Sequence, residues 1–193
     1  MLTKVSIEEF TNVLRSLSER GFPHDEVGSY IRGVNVDQVS LRRFLFFGKR
    51  TYTRNLIFRD LNFELIAIGW EVNQSSSIHD HAGQSCWMTV PVGKLRVQNY
   101  RILEQDSQTG FCRLEATDQI DLERHSKTEV DPSEPIHEVG NPGVFGKRAV
   151  SLHVYSRPID QCLVFTPSIN WCSEVVPRYT SQYGHLSPGV ELA

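Results

Sequence analysis

The sequence predicts a mainly β domain, a sandwich or small barrel, with its α-helices confined to the N-terminal side. Three observations carry this. Six segments alternate or run apolar over strand lengths: TYTRNLIF, FELIAIGWEV, CWMTVPVG, KLRVQNYRIL, FCRLEATD and AVSLHVYS. Turn signals separate them at Gly93-Lys94, Gly110, Asn141-Pro142-Gly143 and Ser156 to Pro158. Helical periodicity is found only ahead of them, before Gly48.

The elements follow in order. Ser6 and Glu9 form a capping box, which satisfies orphan amide donors at a helix start. Ile7, Phe10, Val13, Leu14 and Leu17 recur at helix spacing, and Gly21 supplies the stop. A second apolar set (Val36, Val39, Leu41, Phe44, Leu45) predicts one or two further short helices. This region, 1–48, reads as a pad covering one side of a β core over 49–185. With no internal repeat or low-complexity linker, 1–193 reads as a single domain, whose last residues, LSPGVELA, are expected to fray.

Composition narrows the function. The chain has 193 residues, enough to bury a core without disulfide staples. A net charge of −3 and the lack of any basic run argue against nucleic acid as a partner. No window of 18 apolar residues exists to cross a membrane, and MLTKVSIEEF lacks the apolar segment of a signal peptide. Cys86, Cys112, Cys162 and Cys172 form no CxxC pair, so they are expected to be thiols in a reducing, cytoplasmic compartment. The single-domain size is compatible with a monomer.

The chemistry concentrates in SSSIHDHAGQSC, residues 75–86. In a strand, His79 and His81 project to one face and Asp80 to the other. The pair alone fits a metal site or two surface histidines near a turn. A third histidine, His137 in PIHEVGN, precedes a turn near a later strand that a barrel brings alongside. Three neutral imidazoles leave one side of an ion open to substrate and dioxygen. No carboxylate follows His81 where a fourth ligand would stand; Cys86 does. Such a site leaves the metal's charge uncompensated and favours an incoming anion such as a thiolate.

HxH with a residue five further on, and then His137 to Asn141 as H-x-x-x-N, resemble the two motifs of the cupin superfamily, which forms a small jelly-roll-like β-barrel. Within it, IHDHAGQSCW followed by SLHVYS resembles cysteine dioxygenase, a non-haem iron thiol dioxygenase. The similarity runs from about Tyr52 to Tyr183. It implies that His79, His81 and His137 hold Fe(II), that a thioether bond joins Cys86 to Tyr155, and that Ser151 and His153 support that pair by hydrogen bonds. It gives Arg54 in YTRN the substrate carboxylate, which a guanidinium fork matches bidentately. On composition alone Arg54 would be a surface arginine. Tyr52, two residues earlier, lines the same pocket in this reading. The reaction implied adds both atoms of O2 to the sulfur of L-cysteine, giving the sulfinic acid.

Ser151, His153 and Tyr155 alternate on one strand face, and buried polar groups need partners, which a relay supplies. His153 is expected to bond the Tyr155 hydroxyl, and each iron ligand to donate its second ring nitrogen to a nearby acceptor. Cys162 matches a position near the family's active-site rim, although a small core thiol is the commoner fate. Cys112 and Cys172 read as core, His24, His125 and His185 as surface or satisfied, and Trp70 and Trp87 as core. The chain departs from the family at Ser75, commonly glycine, and at Ser156-Arg157-Pro158, where the family often has Ser-Pro with a cis bond. A cis bond before arginine costs about 2.5–4 kcal/mol. Arg157 is read as a possible second cation in the pocket, favouring a longer or more acidic thiol. The competing readings are a dioxygenase of another carboxylated thiol such as 3-mercaptopropionate, a non-catalytic cupin sensor or store, and a zinc or nickel cupin.

Overall fold

The computed structural model describes residues 2–130 and 135–192. The N-terminal side is helical, as read. Helix α1 (Ile7–Ser18) starts at the capping box: Glu9 N–H donates to Ser6 Oγ at 3.1 Å and Ser6 N–H to Glu9 Oε2 at 2.7 Å. The second helix, α2, is His24–Gly33, earlier than the apolar set predicts. Pro23 opens it, Asp25 and Glu26 suit its positive N-terminal end, and only Val27, Gly28 and Ile31 are buried. That stripe is too sparse to stand out as a periodic pattern. Of the predicted helical stretch, Val36 lies in a strand and only Arg42–Phe44 winds into a single 3-10 turn.

The strands are β1 (Thr3–Val5), β2 (Val34–Val36), β3 (Thr53–Arg59), β4 (Glu64–Trp70), β5 (Gln74–Ser75), β6 (Ile78–His79), β7 (Cys86–Val92) and β8 (Leu95–Asp106). They continue with β9 (Phe111–Leu122), β10 (Lys127–Glu129), β11 (Ile136–Asn141), β12 (Ala149–Tyr155), β13 (Cys162–Thr166), β14 (Trp171–Val175), β15 (Ser181–Gln182) and β16 (His185–Leu186). Apart from the short β1–β2 ribbon they form two seven-stranded sheets, β10-β7-β12-β4-β3-β15-β16 and β5-β11-β6-β13-β14-β9-β8. β8 also pairs with β11, which curls the second sheet on itself. The C-terminal stretch is less frayed than its composition predicts: Leu186 is in β16 and Ser187 N–H donates to Thr180 O at 2.9 Å. The β7–β8 turn needs Gly93, whose φ is +75°, and an added Cβ there would stand 2.5 Å from Arg148 O.

The first sheet is buried on both faces. Leu65, Ala67, Leu152, Val154 and Trp87 point to the pad and pack with Phe10, Leu14, Val27, Ile31 and Phe63. Ile66, Ile68, Trp70, Cys86, Met88, Val90 and Tyr155 point between the sheets, with Leu95, Val97 and Val139. This explains why FELIAIGW reads as a continuous apolar run rather than an alternation. Phe10 is fully buried between pad and sheet. Phe10→Ala is expected to cost about 3–5 kcal/mol of stability, measured as a lowered urea midpoint at unchanged slope. Among the described residues no helix is long and apolar enough to cross a membrane.

Candidate metal centre

Register builds the centre. His137 on β11 is the direct cross-strand partner of His79 on β6, which places both imidazoles on the same inner face. His81 lies just beyond the end of β6 and is held there by its neighbour. Asp80 Oδ1 accepts from Leu163 N–H at 2.8 Å and Ala82 N–H at 3.3 Å, while Asp80 N–H donates to Leu163 O at 3.1 Å. With Asp80 turned outward, Ala82 and Gly83 take positive φ values of 50° and 74° and the chain reverses. The three rings sit 4.8–5.2 Å apart, centroid to centroid. One nitrogen from each lies within 4.8 Å of the others.

The donor set fits a metal ion. His81 is buried with both ring nitrogens unpartnered, and His137 Nε2 is unpartnered too. An orphaned buried polar atom is costly unless something satisfies it, and a cation does so for all three rings. His79 Nδ1 lies 2.9 Å from Ser77 O. The carbonyl can only accept, so Nδ1 carries the proton and Nε2 is free for the centre. Of the three, His79 shows the expected second-nitrogen acceptor and His81 does not. Burial holds all three imidazoles below the usual histidine range, with the neighbouring rings adding to this at His81 and His137. They are therefore neutral ligands at pH 7. Among the described residues this is the one group of three or more His, Cys, Asp or Glu donors placed to hold an ion.

The opposite sheet faces this cluster with Cys86, Ser151, His153, Tyr155 and Arg54. Cys86 on β7 pairs directly with Tyr155 on β12, and both are buried. The Tyr155 ring lies 5.8 Å from that of His81. Burial and the Cys86 sulfur push the Tyr155 hydroxyl well above the usual tyrosine range, with Arg54 pulling the other way. The Cys86 thiol is likewise pushed up by burial.

His153 is held differently from its expected role. Trp70 Nε1–H donates to Ser151 Oγ at 2.9 Å, and Ser151 Oγ lies 2.8 Å from His153 Nε2. Ser151 Oγ thus bridges the indole donor and Nε2, while Nδ1 faces Cys86 Sγ at 3.9 Å. Its ring stacks beside Tyr155 at 6.0 Å rather than bonding its hydroxyl. The fixed row is Trp70, Ser151, His153, Cys86. Trp70 is core, as predicted, yet it also orients this row, which the sequence reading missed.

Burial pushes His153 down to about 3, against about 6.5 for an unfolded histidine. As pH falls, the unfolded chain takes the proton first. Stability from the neutral ring is full above about 6.5 and is lost progressively down to about 3. The metal-free protein is expected to show a falling urea midpoint across this window, and His153→Gln a shallower fall.

A cavity of about 410 Å³ opens onto the cluster, lined by Tyr52, Arg54, His79, Cys162 and Arg178 among others. Tyr52 stacks on Trp70 with centroids 4.9 Å apart. Arg54 Nε and Nη2 are buried without a hydrogen-bond partner, so the guanidinium has donors to offer a carboxylate. Cys162 lines this cavity while being largely buried. Ser75 lines it as well. A smaller hollow of about 210 Å³ reaches Cys86 and His137 from the other side. A larger one of about 450 Å³, by Arg96, Gln98 and Glu138, shares only Ser75 with them and touches none of the three histidines.

Three further readings are settled by position. Arg157 is exposed and outside the cavity lining; the second guanidinium there is that of Arg178. No peptide bond among the described residues is cis, so the Ser156-Arg157 bond is trans. The chain leaves Tyr155 on a course that turns Arg157 to solvent. Cys112 and Cys172 are core, and His24 is satisfied by Glu129 at 2.5 Å. The sequence reading also missed Glu64, a fully buried carboxylate behind Arg54. Its signal was present: in FELIAIGW, Glu64 shares the interior face with Ile66 and Ile68.

The profile of a family described as cysteine dioxygenase type I matches residues 5–168. Cysteine dioxygenase type 1 of Danio rerio is 27% identical over 165 residues, covering 85% of this chain and 80% of the relative. The protein of that name from Homo sapiens is 26% identical over the same shares. A Klebsiella pneumoniae crystal structure with a double-stranded β-helix domain aligns over 72% of this chain and 96% of its own, at 12% identity and a TM-score of 0.46.

Proposed function

Because the chain belongs to the cysteine dioxygenase type I family, we propose that it is a thiol dioxygenase adding both atoms of O2 to the sulfur of L-cysteine, giving cysteine sulfinic acid. The observation that carries this reading is the convergence of three neutral imidazoles, with unpartnered nitrogens, opposite Arg54, Cys86 and Tyr155. His79, His81 and His137 would hold Fe(II), which supplies the redox chemistry that joins dioxygen to a thiolate. With no anionic protein ligand in the set, an incoming thiolate balances the ion's charge.

The chain's own residues then do the positioning. Arg54 offers Nε and Nη2 to the substrate carboxylate. Tyr155 keeps its proton, since burial holds its hydroxyl far above neutral pH, and presents it as a donor beside the sulfur. A thioether between Cys86 and the Tyr155 ring is supported by their direct pairing and closed burial, and it would lock that donor's direction. His153, fixed by Ser151, keeps Nδ1 toward the Cys86 sulfur. That none of the four cysteines is in a disulfide agrees with a reducing, cytoplasmic setting, and the reading takes the protein as a monomer acting on a small molecule.

A second reading, a dioxygenase of another carboxylated thiol, is favoured by the cavity's size and by Arg178 at its wall. A volume of about 410 Å³ lies in the roughly 300–1,000 Å³ range of pockets for ligands larger than cysteine. The experiment is oxygen consumption by iron-loaded protein with L-cysteine, L-homocysteine, 3-mercaptopropionate and cysteamine, with the product identified by mass. Sulfinate formation with L-cysteine as the best substrate supports the first reading, and no thiol-dependent uptake sinks both. Intact mass should show protein lighter by two hydrogens, a species that Cys86→Ser removes.

A further inference from the structure

The chain carries a buried carboxylate that the proposed chemistry does not use. Four side chains stand in one register across adjacent strands: Cys86 on β7, Tyr155 on β12, Glu64 on β4 and Arg59 on β3. Glu64 is 0% exposed. An isolated buried carboxylate is strongly disfavoured, so its partners define its purpose. Its Oε2 accepts from Ile159 N–H at 3.3 Å. The Tyr179 hydroxyl accepts from Arg59 Nη1 at 2.9 Å and turns its own proton to Glu64. Arg59 Nη1 itself lies 3.8 Å from Oε2, and Nη2 bonds the exposed Asp160 at 2.5 Å. Formal charge thus alternates inward from the surface, Asp160, Arg59, Glu64, Arg54; burial pushes the Glu64 carboxyl up, and Arg54, Tyr179, the Ile159 N–H and Arg59 pull it back down.

The last link is unlike the others. Glu64 Oε1 and Arg54 Nη2 are 3.6 Å apart, and each lacks a hydrogen-bond partner. The pair attracts strongly at this burial without consuming a donor. Glu64 does not line the cavity, whereas Arg54 does. We propose that Glu64 is a positioning residue, holding the Arg54 guanidinium from behind by charge alone so that its donors stay free for the substrate carboxylate. The proposal rests on the thiol dioxygenase reading for its substrate, but not for its geometry. Tyr179, whose ring lies 6.0 Å from the Arg54 guanidinium, completes the backing.

The test is E64Q, which keeps shape and removes charge. Iron-loaded wild type and variant are assayed with L-cysteine and with cysteamine, the same thiol and amine without a carboxylate. The KM for L-cysteine is expected to rise about 10–100-fold, as for other small misplacements of a binding group, with kcat little changed and cysteamine kinetics unmoved. An unchanged or lower KM for L-cysteine overturns the proposal, because Glu64 would then compete for Arg54 instead of holding it. An equal loss with cysteamine overturns it too, since the effect would be general. Nitrogen-15 NMR of the Arg54 Nε–H in the metal-free protein decides the matter even if no thiol is oxidised. The wild-type signal should be slowly exchanging and that of E64Q fast; equal exchange overturns the proposal. Should E64Q not fold, E64D keeps the charge but draws it back, and is expected to give an intermediate exchange rate. Wild-type exchange in E64D overturns the proposal as well.

Discussion

Replacing His81 by alanine is expected to abolish iron retention and lower thiol-dependent oxygen uptake by more than about 100-fold, since even outer-shell changes at metal sites cost about 10–100-fold. The reason lies in how His81 is placed. Both its ring nitrogens are buried without a partner, so one of them is free to bind an ion without giving up a protein hydrogen bond. It also lies outside β6, held by the Asp80–Leu163 bonds and by Gln84 N–H donating to its carbonyl at 2.9 Å. The measurement is the iron-to-protein ratio after reconstitution, with oxygen uptake alongside. His125→Ala is the control, because His125 sits on a turn with φ 70° and takes no part in the cluster. Full iron loading in His81→Ala would show that the three imidazoles do not act together.

Arg54→Met is expected to lower kcat/KM for L-cysteine about 30- to 4,000-fold, the range for removing one partner of a buried charged contact worth about 2–5 kcal/mol. Most of the loss should appear in KM, and cysteamine should be affected far less. The single variant also strands Glu64, whose nearest remaining cation is Arg59 at 3.8 Å. The double variant Arg54→Met/Glu64→Gln separates the two effects. It should recover thermal stability without recovering affinity for carboxylated thiols. A thiol panel in which Arg54→Met treats L-cysteine and cysteamine as the wild type does would remove Arg54 from substrate binding.

What the sequence discloses and what it hides follow a physical division. Local periodicity shows the capping box at Ser6, the apolar run of β4 and the polar row Ser151, His153, Tyr155, because each is written within a few residues. Period-two reasoning also puts His79 and His81 together, although the strand ends between them. His137 can be singled out as a third histidine near a later strand, but its meeting with His79 depends on the β11–β6 register, which no local pattern encodes. The acidic head of FELIAIGW is visible, but its meaning needs Arg54 and Arg59 from the next strand and Tyr179 from the far end of the chain. Helix α2 is hidden by its thin apolar stripe. The reading of Arg157 as a pocket cation fails because a loop's course is set by packing, which no spacing rule encodes.

His79 and His137 belong to one sheet, whereas Arg54, Cys86, Tyr155 and the Ser151–His153 pair belong to the other. In the proposed reading an amino acid in the cavity would be moored by its carboxylate to one wall and by its sulfur and nitrogen to the other. It would act as a strut between the two sheets. The breathing of the two walls and the dwell time of whatever lies between them then become a single quantity, and slower backbone exchange and slower release are two readings of one dial.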